Sequence, residues 1–331
     1  MKNTLLILAI FCLLPSCIGH SNLKYEKALP ELLNEDLMTT MPGKLIVTDQ
    51  FLVWEDPFAR DYFVHVHDKM SGNVVGSMGA VGEGPEEFIT GGISLSCIDN
   101  RFFATDANGN TKGYLSLDSL IDQRKTFIPL TAHEKESRPT MGEWEEGVFV
   151  GVTEDGDDSY CKANIQGQES TFGVYPISEI KQHLGGDKAY DAVDGLFLYS
   201  SYSIPYLALY KKIGNTFVLQ WEVHPDIKTY EISADKIIFD RKIQGIRGVC
   251  MSKDFIITLQ RDQSIDPMDE TTVGRDASKC PHTVFLYDYE GHLIKIVDLG
   301  MPIMRIAADR TSNVLYAIGA NPEFVLVKYE L

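Results

Sequence analysis

Six short apolar runs, each introduced by a turn-forming or charged dipeptide, recur along this chain at intervals of about 46 to 60 residues. They sit within KLIVTDQFLVWED, DNRFFATD, EEGVFVGVTED, DGLFLYSSY, KDFIITLQRD and SNVLYAIGA. Their β-branched and aromatic content, bounded by Gly, Asn, Asp and Ser, is that of buried strands. The interval matches a four-stranded antiparallel sheet with its loops, which is the unit of a propeller blade. Six runs therefore predict an all-β fold: a six-bladed β-propeller of four-stranded antiparallel blades, spanning residues 41–331 as one domain. A chain of 331 residues with no linker-like stretch accommodates such a domain after a short leader.

The neighbouring segments support this register. GISLSCIDNRFF, GIRGVCMSKDFI and IMRIAADRTSNVLY share an outline of small-apolar run, polar turn and next strand. Aligned, they set Ser94, Arg247 and Arg305 at comparable positions early in inner strands. Outer hairpins are expected across Lys69-Met70-Ser71-Gly72 and Glu290-Gly291, with a further hairpin turn at Asp155-Gly156, where Gly supplies a positive φ. Helix is expected only over Ile177–Gly186, stopped by two glycines, and around PELLNEDL near residue 30. The final EFVLVKYEL reads as a strand. An open blade edge would leave backbone groups unpaired, so a strand from the N-terminal region, within residues 17–40, is expected to complete the last blade beside it.

The N-terminus carries Lys2, then an apolar stretch from Leu5 to Leu14 that is too short to span a bilayer. Leu14-Pro15-Ser16-Cys17 resembles a bacterial lipobox, with Pro15 in place of the usual small residue. That resemblance implies a signal peptide over residues 1–16 and lipidation of Cys17. The alternative is an ordinary secretory signal with a cysteine near its end. No acidic cluster follows Cys17, so the expectation is an outer-membrane lipoprotein of the cell envelope, facing the periplasm and held to the membrane through its lipid anchor. A net charge of −17 argues against nucleic acid and against anionic membrane surfaces as partners. Cys97, Cys161, Cys250 and Cys280 show no CxxC spacing. They are either buried free thiols or, for Cys250 and Cys280, a disulfide in an oxidising compartment.

The stretch GAVGEGPEEF, from Gly79 to Phe88, poses the question of a phosphate cradle. Pro85 lacks an N–H, Glu83, Glu86 and Glu87 repel anions, and no Lys-Ser/Thr follows the glycines, so the P-loop chemistry is missing. The stretch reads instead as the crossing from one blade to the next, with Gly82 and Gly84 in left-handed turn conformations and Phe88 between two blades. Its residues Gly82, Gly84, Pro85, Glu87 and Phe88 resemble the G-x-G-P-G-E-F crossing of the TolB-like six-bladed propeller lipoproteins of Bacteroides-type bacteria, with Glu86 replacing a glycine. The resemblance implies the fold and the lipid anchor. It carries over no catalytic residue.

Other patterns weigh little. Asp106, Asn108 and Asn110 alternate as in a calcium loop, but Thr111 and Leu117 stand where an EF-hand needs Gly and Glu. Asp155, Asp157 and Asp158 read as a solvated turn. His65 and His67 share a strand face without a third metal ligand. No G-x-S-x-G elbow and no H-E-x-x-H is present. Arg247 and Arg305 are the preferred ligand-binding candidates, because inner strands converge on the channel mouth and a guanidinium fork holds carboxylate or sulfate. Against that stands an inter-blade salt bridge. Tyr199, Tyr202 and Tyr206 offer either a stacking surface or blade core, and Tyr202 joins the arginines as a ligand-binding candidate. The functional expectation is a propeller-type binding or protein-interaction module for a peptide, glycan or envelope protein, with no catalytic residue and no cofactor. The alternative is a calcium-dependent lactonase-type hydrolase with a metal in the central channel.

Overall fold

Each of the six apolar runs forms the second strand of a four-stranded antiparallel sheet: Phe51–Glu55, Arg101–Asp106, Val148–Val152, Leu196–Ser200, Ile256–Leu259 and Val314–Ala320. Leu196–Ser200 and Ile256–Leu259 are buried at every residue. A strand sandwiched between two neighbouring blades has no solvent face, and this explains the continuous apolar runs. The computed structural model describes residues 23–131, 134, 142–224, 229–234, 236–240, 244–268 and 276–331. Cys17 and the expected signal segment lie outside the described residues.

The sheets follow one another along the chain as blades one to six, over residues 45–80, 91–129, 142–172, 188–223, 248–298 and 303–330. Their innermost strands are Leu45–Val47, Gly91–Ile93, Gly142–Glu145, Lys188–Asp191, Gly248–Met251 and Ile303–Ala307. A separate hairpin, Tyr230–Ser233 with Lys236–Phe239, lies in the connection from blade four to blade five. The core is divided among the blade interfaces. Between blades three and four it is aromatic, with Phe172 against Phe197, Tyr210 and Phe217 at centroid distances of 5.8, 5.2 and 4.9 Å.

The ring closes as expected. Glu31–Asn34 pairs antiparallel with Phe324–Glu330 as the outermost strand of blade six, and Lys328 forms an ion pair with Glu31 at 3.0 Å. The sequence pattern had also allowed a helix here. Instead, the unpaired edge of the C-terminal strand captures the segment's backbone groups. A second N-terminal strand, Lys24–Lys27, was not anticipated. It lies parallel to Leu293–Asp298 as a fifth strand of blade five. The first described residues thus pair with two adjacent blades.

The glycine-rich stretch is the crossing from blade one to blade two. Phe88 is fully buried, edge-on to Phe63 of blade one at 5.0 Å and to Phe127 of blade two at 5.2 Å. Gly82 and Gly84 do not adopt left-handed conformations, which among the crossing's glycines belongs to Gly79 at φ 71°. Their bareness serves another purpose. The Glu87 carboxylate folds back over both, accepts the Gly84 N–H at 2.9 Å, and occupies the space a Cβ on Gly82 would need.

Three further expectations are corrected. Ile177–Gly186 is not helical: the His183 N–H goes to the Asp155 carboxylate at 2.8 Å and the Lys181 carbonyl accepts from Gly156, so tertiary bonds replace helical ones. Asp155-Gly156 joins the second and third strands of blade three and is no outer hairpin, whereas both other hairpins form as expected. A short helix, Leu117–Ile121, capped by Ser116, appears where none was expected. Cys97, Cys161, Cys250 and Cys280 are all free thiols.

Candidate functional site

All six innermost strands run the same way through the ring, so their N-terminal ends gather at one mouth of the central channel. There a cavity of about 350 Å³ is bordered by Lys44, Tyr202, Arg247 and Arg305, with Glu55, Asp187 and Lys188 behind them. The three expected ligand residues therefore meet, although they come from three blades.

Each is held by its own local device. Arg247 directly precedes the inner strand of blade five, where its N–H bonds the Leu259 carbonyl at 2.8 Å. Among the described residues its exposed guanidinium reaches only Gln244, at 3.4 Å. Arg305 follows a β-bulge: Ile303 pairs with Gly319 and Arg305 with Ile318, a shift of one residue that re-aims the side chain. Its Nε donates to the Gly43 carbonyl at 2.6 Å and its Nη1 to the Met304 carbonyl at 3.1 Å. Nη2 is left without a partner among the described residues. Tyr202 sits in the loop between the second and third strands of blade four, clasped by its N–H to the Gly185 carbonyl and by its carbonyl to the Gly245 N–H. A Cβ on Gly245 would strike this loop, so the crossing from blade four to blade five must be bare there.

Neither guanidinium has a carboxylate within 4 Å among the described residues, so the inter-blade salt bridge weighed for them is absent. The acids at the mouth are engaged elsewhere. Glu55 is buried and takes the Ile93 N–H at 2.6 Å and the Lys44 N–H at 3.1 Å, pinning blade one to blade two. Lys44 donates to the Ile93 carbonyl at 2.5 Å and lies 3.8 Å from Glu55. Asp187 accepts the Val249 N–H at 2.9 Å, pinning blade four to blade five. Protein atoms surround its carboxyl on nearly every side even though the residue borders the channel. That burial raises its pKa against the opposing pull of the Val249 and Lys188 N–H groups and of Arg305 and Lys44. The Tyr202 hydroxyl, raised by burial and then by Asp187 to about 12, stays protonated at neutral pH and can donate to an incoming acceptor. The mouth thus offers a guanidinium fork, a second free guanidinium nitrogen and a phenol O–H to an incoming acceptor, in a chain whose net charge is −17.

The other candidates resolve into structure. Tyr199 and Tyr206 are buried core residues. Ser94 follows the end of its inner strand, where its Oγ donates to the Ser96 carbonyl, and it does not border the mouth. Asp106 accepts the N–H groups of Ile89, Thr90 and Asn108 at 2.7 to 3.0 Å, which explains its calcium-loop appearance. Asp158 pairs with Lys181. Trp54 stacks on His65 at 4.4 Å and donates to His67 Nε2 at 3.1 Å, and His67 Nδ1 lies 3.0 Å from the Gly72 carbonyl, so both ring nitrogens of His67 are engaged by the protein. Among the described residues no group of three or more His, Cys, Asp and Glu side chains is arranged to hold a metal ion. The residues missed in the sequence are Lys44, Asp187 and Lys188. Each stands just before or at the start of an inner strand, the same place as Arg247, and extending the inner-strand outline to KLIV and DKAYD would have found them.

This arrangement defines the molecule as a six-bladed propeller with a cationic channel mouth. No family model matches the sequence, and no curated protein matches it. Among solved structures, a member of the DUF4221 family from Bacteroides vulgatus is similar over 93% of this chain and 96% of its own, with a TM-score of 0.57 at 11% identity. Regucalcin, a calcium-binding protein from Agrobacterium tumefaciens, is similar over 92% and 94%, with a TM-score of 0.49 at 10% identity. At such identity the first likeness speaks for the fold alone, and the second carries no argument.

Proposed function

We propose that this propeller is a binding module of the cell envelope that captures an anionic group, a carboxylate or a sulfate, at the Arg247–Arg305–Tyr202 mouth. The carrying observation is that two guanidinium groups from adjacent blades reach one mouth with no carboxylate on either among the described residues. The lipobox and the G-x-G-P-x-E-F crossing support reading the chain as a TolB-like lipoprotein, anchored through Cys17 to the outer membrane and facing the periplasm. The ligand's anionic group would belong to a peptide, an acidic glycan fragment or an envelope protein.

A charge-assisted hydrogen bond contributes about 1.5–3 kcal/mol, so removing one arginine should weaken binding roughly tenfold to a hundredfold. Titrating wild type, Arg247→Ala and Arg305→Ala with acetate and with sulfate by calorimetry tests this. Equal affinity in all three, at unchanged melting temperature, would refute the reading. A melting temperature unmoved by millimolar calcium is expected alongside.

A further inference from the structure

Behind the arginine mouth a second cavity adjoins the first. The outer cavity of about 350 Å³ and an inner one of about 490 Å³ share five bordering residues: Leu45, Leu95, Lys188, Val249 and Ile306. Four are aliphatic and come from blades one, two, five and six. The fifth, Lys188, opens the inner strand of blade four. It is half-buried, and no carboxylate lies within 4 Å of it among the described residues. Besides the two mouth arginines, which also lack a carboxylate partner, the remaining cations of the channel differ in this respect. Lys44 lies beside Glu55, and Arg310, at the far end of the inner cavity, pairs with Asp191 and Asp194.

A half-buried lysine that borders both cavities has no ion pair among the described residues. A bound anion would supply one. The cavity that Arg247 and Arg305 border is also lined by Leu45, Val249 and Ile306, against which an aliphatic spacer can pack, and by Lys188.

We propose that the ligand carries two anionic groups separated by an apolar spacer, the first held by Arg247 and Arg305 and the second by Lys188 where the two cavities adjoin. This rests on the anion-binding reading of the mouth and specifies the ligand class further. The mouth alone would accept any monoanion. Lys188 favours those with a second charge, since an apolar end group leaves it without an anionic partner.

The test titrates the full chain by calorimetry with straight-chain monocarboxylates and dicarboxylates from four to ten carbons, at low and at physiological ionic strength. Affinity is expected to peak at one dicarboxylate length, at least tenfold above the monocarboxylate of equal length. Lys188→Met, which keeps an aliphatic stem, should abolish that gain and leave monocarboxylate affinity unchanged. Lys188→Arg should retain a gain with the optimum length shifted. If monocarboxylates and dicarboxylates bind alike in wild type, or if Lys188→Met keeps the gain, this inference fails while the anion-binding mouth stands. If no acid of either series binds, both fail. Melting curves of the variants identify any loss due to misfolding.

Discussion

Replacing Phe88 by Ala should be among the most damaging single changes in this molecule, and its size follows from where the ring sits. Phe88 is fully buried between Phe63 and Phe127, so it contacts two blades at once from the crossing that joins them. Truncating a buried Phe to Ala costs about 3–5 kcal/mol through lost transfer energy and the cavity left behind. Two edge-to-face ring contacts, each worth roughly 0.5–1.5 kcal/mol beyond burial, place this case in the upper part of that range. The expected loss is about 4 kcal/mol, and at roughly 2 °C per kcal/mol for a chain of this size the melting midpoint should fall by about 8 °C. Circular dichroism melts and guanidinium titrations of wild type and Phe88→Ala measure it. Phe58→Ala, at a half-exposed ring, serves as the control and should stay within about 0.5 kcal/mol. A loss below about 1 kcal/mol for Phe88→Ala would refute the wedge. The crossing would then be an ordinary surface loop.

Other consequences can be checked in parallel. Asp187 holds its proton to higher pH than an exposed Asp, because burial disfavours its charge. As pH falls the mouth therefore loses this negative charge before an exposed Asp would, and anion affinity should rise severalfold, whereas Asp187→Asn should bind tightly with little pH dependence. By the same sign, the native state takes up a proton before the unfolded chain does, so this residue's contribution to stability declines as pH rises. Deleting residues 23–34 should bare the edges of blades five and six and give soluble aggregates by light scattering, since unpaired strand edges recruit other chains. Cys17→Ala should leave the membrane fraction after a carbonate wash. In vesicles, dye at Tyr202→Cys should transfer energy to labelled lipid less than dye at Asn215→Cys, in the turn between the blade-four strands Leu207–Ile213 and Thr216–Val223, because Lys24–Lys27 runs toward the arginine mouth and its first residue enters from the opposite end.

Much of the architecture could be read from the sequence for a specific physical reason. Strands enclosed between blades must be apolar on both faces, so Leu196–Ser200 and its counterparts stand out as uninterrupted runs. The inner strands are short, and their side chains divide between packing and channel. Arg247 and Arg305 could be aligned there, but the bulge that turns Arg305 toward Gly43 leaves no mark in composition. Ser94 was aligned with them by outline alone and falls past its strand. Ile177–Gly186 misled because local helical pattern says nothing of the Asp155 carboxylate waiting across the turn. Lys24–Lys27 was invisible because KYEK is exposed at every residue and carries no alternation to mark a strand.

A crystal structure grown with a long-chain dicarboxylate tests the central claim most directly. Electron density for a carboxylate bridging Arg247 and Arg305 beside the Tyr202 hydroxyl is the predicted result. A mouth filled only with water at saturating ligand, or the acid bound at some other surface, would contradict it.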